Sequence, residues 1–190
     1  MMTIRQLSSA LLAWLIAAIV LSTVGFLRSA PPPFPQTCLV ALTIALTHAV
    51  FFQRSVKLLL DTLDLRLLIG FHLTRFIGFY FLWLYQKGLL PYDFAVLGGW
   101  GDIIVAGASI PILIGLTLKK GVSSVVLLAW NTLGLVDILF VVATAARLAL
   151  REPASMNQIT HLPLSLLPLF IVPIIIASHL FIYRRIRRSA

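Results

Sequence analysis

Three ionisable side chains, Arg75, Asp102 and Asp137, stand in the middle of long apolar runs, where a charge is expensive and needs a partner. An arginine facing two carboxylates can lock helices together. It can also leave a site with a net charge of minus one, in which one carboxyl keeps a proton and exchanges it. At 1.5 Å per helical residue, Arg75 falls about 15 Å, Asp102 about 10 Å and Asp137 about 14 Å from the same end of their runs, so one shared cluster is the economical reading. The alternative is a purely structural one: Arg75 pairs with one Asp, and the other Asp bonds as a neutral acid.

A second polar layer lies nearer the opposite end. His48, His72, Asn131 and His179 fall about 8, 8, 9 and 6 Å from that end of their runs. Neutral imidazole nitrogens can ligate a metal or haem iron. No H-x-x-H or E-x-x-H spacing supports this, and a lone His more often serves as hydrogen-bonded glue between helices. No cofactor is expected, and haem or metal at this layer stands as an alternative. His72 and Arg75 share a face at i, i+3, so one helix touches both layers.

What must position these residues is a membrane bundle. The chain has 190 residues, 60% hydrophobic and only 11% charged, with a mean hydropathy of +1.03. Soluble domains carry about 25% charged residues, so a water-facing globular surface cannot be built from this composition. Six runs reach the length of about 20 residues that a membrane crossing needs: roughly 7–27, 37–53, 67–85, 95–118, 125–146 and 163–183. The fold class expected is all-α, a bundle of six transmembrane helices forming a single membrane domain over residues 1–190. A short amphipathic segment at about 54–66, with Lys57, Asp61 and Asp64 around a leucine face, reads as an interfacial helix. Residues from Arg28 to Gln36, with Pro31, Pro32, Pro33 and Pro35, read as an extended, non-helical spacer.

Net charge is +9, from 15 Lys and Arg against 6 Asp and Glu. Ten basic residues fall on one side of a six-span topology: Arg5, Arg54, Lys57, Arg66, Lys119, Lys120, Arg184, Arg185, Arg187 and Arg188. Four fall on the other: Arg28, Lys87, Arg147 and Arg151. The positive-inside rule then places both termini in the cytoplasm. The charge is topogenic and gives no reason to expect nucleic acid as a partner. The terminal Arg184, Arg185, Arg187 and Arg188 suit anionic lipids as well as stop-transfer anchoring. The first run is too long for a signal h-region, and Arg28-Ser29-Ala30 is no A-x-A site, so it reads as a retained helix. The single Cys38 excludes an internal disulfide.

Enzyme chemistry has little to stand on. There is no P-loop, dinucleotide fingerprint or kinase signature. Gly99-Trp100-Gly101-Asp102 resembles the GxGD motif of intramembrane aspartyl proteases over four residues, but the preceding span offers Arg75 where those enzymes carry an Asp. No inverted 3+3 repeat points to a secondary transporter. Pro173 removes the α-helical donor for the Leu169 carbonyl, so a kink is expected in the last span. Trp14 and Trp130 are expected to pack, and His161, in a loop, carries no expectation.

Arg75…Gly78, Leu90-Pro91…Phe94-Ala95, Gly101-Asp102-Ile103, Trp130-Asn131…Gly134…Asp137 and Pro168…Pro173…His179 together resemble small, functionally uncharacterised bacterial multi-pass membrane proteins. That resemblance covers residues 75–180 and implies an inner-membrane location, with no activity attached. The functional expectation is a small permease-like or proton-handling protein whose substrate is a small ion or a proton. The alternatives are an assembly or accessory protein with a structural ion cluster, and a haem- or metal-binding protein or intramembrane enzyme.

Overall fold

The computed structural model describes residues 3–29 and 31–189, so Ala30 of the Arg28-Ser29-Ala30 segment lies outside it. Every regular element among the described residues is helical, and six helices are long and apolar enough to cross a membrane. They are α1 (Ile4–Thr23), α2 (Phe34–Phe52), α4 (Leu65–Gln86), α5 (Asp93–Thr117), α6 (Ser124–Arg151) and α7 (Leu167–Arg188), with a shorter α3 (Arg54–Thr62) between α2 and α4.

The helix ends have local causes. Thr3 and Gln6 form a reciprocal cap at the start of α1: the Gln6 N–H donates to Thr3 Oγ1 at 3.2 Å, and the Thr3 N–H to Gln6 Oε1 at 2.9 Å. The first helix stops at Thr23, short of the expected residue 27, because the chain turns at Gly25 with φ 75°, after which Phe26–Arg28 make one 3-10 turn. The proline-rich spacer is shorter than expected. Helix α2 begins at Phe34 and takes in Pro35, since a first-turn proline forfeits only an N–H that has no intrahelical partner. The amphipathic segment ends at Thr62, and Asp64 then caps α4, its carboxylate accepting from the Arg66 N–H at 2.8 Å.

Three of the long helices depart from α geometry. Helix α4 is α-helical over Leu65–Phe71, 3-10 over His72–Ile77 and α-helical again over Gly78–Gln86. Helix α5 opens with a π turn at Asp93–Gly98, and α7 with one at Leu167–Ile171. Such segments are short and often mark functional places.

The chain divides into two compact units. The first comprises residues up to Leu63 together with Ala146–Ala177. Its core is Ala18, Leu27, Leu169 and Phe170, ringed by Trp14, Cys38 and Leu42. Trp14 meets Phe170 edge-on at 5.0 Å and donates its indole N–H to the Leu169 carbonyl at 2.9 Å. It therefore does more than pack. His161 also has a definite role here: Arg28 donates to its Nε2 at 3.2 Å, so its Nδ1 carries the proton and donates to the Asn157 carbonyl at 3.1 Å.

The second unit comprises Asp64–Ala145 and the residues from Ser178 onward. Ile69, Val105, Ile112, Leu127, Trp130 and Ile182 form its apolar core. Helices α4 and α5 touch backbone to backbone at Gly78 and Gly99. A Cβ at Gly99 would lie 3.0 Å from the Gly78 carbonyl oxygen, and one at Gly78 would overlap the Gly99 carbonyl. Small residues permit this approach, and it brings the 3-10 stretch of α4 against α5.

Candidate functional site

The 3-10 stretch of α4 is the local device that builds the site. At three residues per turn, side chains at i and i+3 are eclipsed, so His72 and Arg75 point from α4 in the same direction. Both are 0% exposed.

Each nitrogen of the Arg75 guanidinium has an acceptor. Nε donates to Asp102 Oδ1 at 2.7 Å, one terminal nitrogen donates to the Gly134 carbonyl at 2.9 Å, and the other is ion-paired with Asp137 Oδ2. The structure thus brings Arg75, Asp102 and Asp137 into one cluster on α4, α5 and α6. The two carboxylates differ in access. The Asp102 side chain is 4% exposed and that of Asp137 is 17%. Gly101 accounts for the position of Asp137: a Cβ there would overlap the Asp137 carboxylate, so only glycine leaves the space. The glycines of the Gly99-Trp100-Gly101-Asp102 string are explained by packing, Gly99 against α4 and Gly101 against Asp137.

The imidazole layer lies one helical turn away. His179 Nδ1 donates to Asn131 Oδ1 at 2.8 Å, while the Asn131 amide donates to the His179 carbonyl at 3.0 Å. An acceptor at Nδ1 fixes the tautomer and leaves Nε2 bare. His72 Nε2 shares a hydrogen bond with Ser178 Oγ at 3.0 Å. His72 Nδ1 and His179 Nε2 are buried without a partner among the described residues, and of the two His179 Nε2 is the one left with a lone pair by its tautomer. The two rings lie 4.2 Å apart, tilted by 45°. Trp130 closes the layer edge-on to His72 at 5.1 Å and donates its indole N–H to the Val105 carbonyl at 3.1 Å.

His48 does not join this layer. It belongs to the other unit, where it is exposed and stacks on Phe52 at 5.1 Å. Depth along a helix is legible from residue number, but the face is not, and His48 is on an exposed face of α2. Two contributors have little signal in the sequence. Ser178 is visible only as the neighbour of His179. Gly134 joins the layers: its carbonyl accepts from Arg75, and a Cβ on it would sit 2.6 Å from the His179 ring.

Fold and site together define a helical protein with six helices long and apolar enough to cross a membrane and an enclosed Arg–Asp–Asp cluster between three of them. The chain belongs to the family described as a domain of unknown function, DUF8737, which it matches over residues 32–187. No curated protein and no solved structure matches it.

Proposed function

We propose that the chain is a small proton-handling protein of a bacterial inner membrane, crossing it six times with both termini in the cytoplasm. Ten basic residues on one side against four on the other support the orientation. One observation carries the functional reading: two carboxylates share a single buried guanidinium, and only Asp137 reaches the edge of its unit. With both acids ionised the cluster is one negative charge in excess, which a low-dielectric surrounding disfavours; one proton removes the excess. Asp102 is held inside on Nε, so Asp137, beside the Gly101 notch, is the carboxyl placed to take and release that proton. Every Arg75 nitrogen is already engaged, which supports a proton over an anion as the species handled.

Asp137→Asn and Asp102→Asn, reconstituted in vesicles containing a pH-sensitive dye, test the reading. Both variants should insert and fold, and proton flux should vanish. Flux equal to that of the wild type overturns it.

The full enclosure of Arg75 favours a second reading, in which the cluster only fixes how α4, α5 and α6 pack in a membrane assembly or accessory protein. Under that reading the same substitutions lower thermal stability and alter no flux.

A further inference from the structure

Between α5 and α6 the second unit carries an apolar furrow of about 630 Å³. Ile104 and Leu133 lie at its deep end, Ala108 and Ala129 along it, and Gly115 and Gly121 near its mouth. Ala108 and Ala129 are exposed, and large apolar side chains of the same furrow flank them: Ile104 is 65% and Leu133 67% exposed. From Ile104 to Gly115 the furrow follows twelve residues of α5, eleven steps or about 16 Å at 1.5 Å per residue, and one leaflet of a hydrocarbon core of about 30 Å is about 15 Å thick. The furrow therefore has the length of one acyl chain reaching from interface to midplane.

Two lysines directly precede Gly121, Val122 and Ser123 at its mouth. The turn between α5 and α6 presents Lys119 and Lys120, both exposed, and α6 begins at Ser124 with the positive end of its dipole toward the same turn. Lys119 has φ 54°, the left-handed conformation that glycine usually supplies at a helix C-terminus. The Lys120 N–H closes this cap on the Gly115 carbonyl at 3.1 Å, which fixes where both lysines leave the helix.

We propose that this is a binding site for one anionic phospholipid, with an acyl chain in the furrow and the phosphate at Lys119, Lys120 and the start of α6. None of the terminal arginines lines the furrow. The site rests on the reading that α5 and α6 cross a bilayer, but not on proton handling at Asp137.

The purified protein is incubated with phosphatidylglycerol or phosphatidylcholine bearing the same tails, or with glycerol phosphate. Retained lipid is counted by native mass spectrometry, and the unfolding temperature is followed. One phosphatidylglycerol should stay bound and raise the unfolding temperature, while phosphatidylcholine and glycerol phosphate should do neither. Lys119→Gln with Lys120→Gln should weaken retention by about 25-fold, near fivefold for each lysine. Ala108→Phe, with both lysines intact, should also lose the lipid because the tail no longer fits. Equal retention of both lipids, binding of glycerol phosphate alone, or unchanged retention by the double lysine variant overturns the proposal. Both lysines are exposed, so their replacement leaves the fold intact and decides the matter even if Ala108→Phe unfolds. Carbonate washing of membranes separates the two readings: a protein that stays in the pellet yet shows no phosphatidylglycerol preference refutes only the lipid site, and one that washes off refutes bilayer insertion as well.

Discussion

The indole N–H of Trp14 in α1 donates at 2.9 Å to the carbonyl of Leu169 in α7, the carbonyl whose α-helical donor Pro173 removes. A helical proline and a tryptophan distant in sequence thus answer one another. Replacing Trp14 by Phe keeps the ring but leaves that carbonyl one donor short, which costs about 1–3 kcal/mol for a buried group. In a Pro173→Ala background a backbone N–H returns and the loss should shrink. A double-mutant cycle on thermal unfolding in detergent measures this. Equal losses in the two backgrounds would show that the indole acts by bulk alone.

Arg75 sets the largest single effect. Removing one partner of a buried ion pair typically costs about 3–5 kcal/mol, because the remaining charge is left uncompensated. Arg75→Leu alone strands two carboxylates and should unfold most readily. Arg75→Leu combined with Asp102→Asn and Asp137→Asn strands none and should recover part of the loss. Unfolding temperatures of the single and triple variants provide the comparison, and a triple variant no more stable than the single one contradicts it.

The unequal legibility of the site has physical causes. Arg75, Asp102 and Asp137 stand out because a charge inside an apolar run is conspicuous, and residue number times helical rise gives their depths. His48 has a comparable depth and yet stacks on Phe52 in the other unit, since depth leaves the azimuth of a helix open. Nothing in the residues His72–Ile77 announces 3-10 geometry: the choice of hydrogen-bond partner there accompanies the packing of α4 on α5 through Gly78 and Gly99. The π turn of α7 was better signposted, by Pro168 and Pro173. Pro35 shows the opposite case, a proline that looks like a helix breaker but occupies the one turn where it is tolerated.

Asp64 gives the chain a titration that can be read from outside the apolar helices. The Arg66 guanidinium and then the Arg66 backbone N–H, both bonded to its carboxylate, hold the Asp64 carboxyl down to about 2 from its usual 3.8. A depressed value means that the cap's contribution is complete above 3.8 and is lost as pH falls through about 2. The Asp64 side-chain carbon, followed by NMR, should titrate near 2 in the wild type, and Arg66→Gln should move the midpoint toward 3.8. A wild-type midpoint already at the usual value removes the pair from consideration.

Glycine substitutions separate close packing from helix propensity. A methyl at Gly101 would overlap the Asp137 carboxylate, and one at Gly134 would press on the His179 ring and on Val105. A methyl at Gly107 or Gly70 would meet nothing within 4 Å. In a helix interior Gly→Ala is worth about 0.8–1.0 kcal/mol in favour of alanine when space permits. Overpacking a filled position costs about 1–3 kcal/mol. The four alanine variants should therefore divide by sign: Gly70→Ala and Gly107→Ala unchanged or more stable, Gly101→Ala and Gly134→Ala less stable. The two losing positions should differ further. Gly101→Ala pushes the Asp137 carboxylate away from Arg75 and so acts on the charged cluster. Gly134→Ala displaces the His179 ring while the Gly134 carbonyl remains an acceptor for Arg75. Adding Asp137→Asn should therefore change the loss from Gly101→Ala and leave the loss from Gly134→Ala nearly as it was. Thermal unfolding of the four single variants and the two doubles decides it, and stabilisation by Gly101→Ala would mean that the notch holding Asp137 is not closed in the way described.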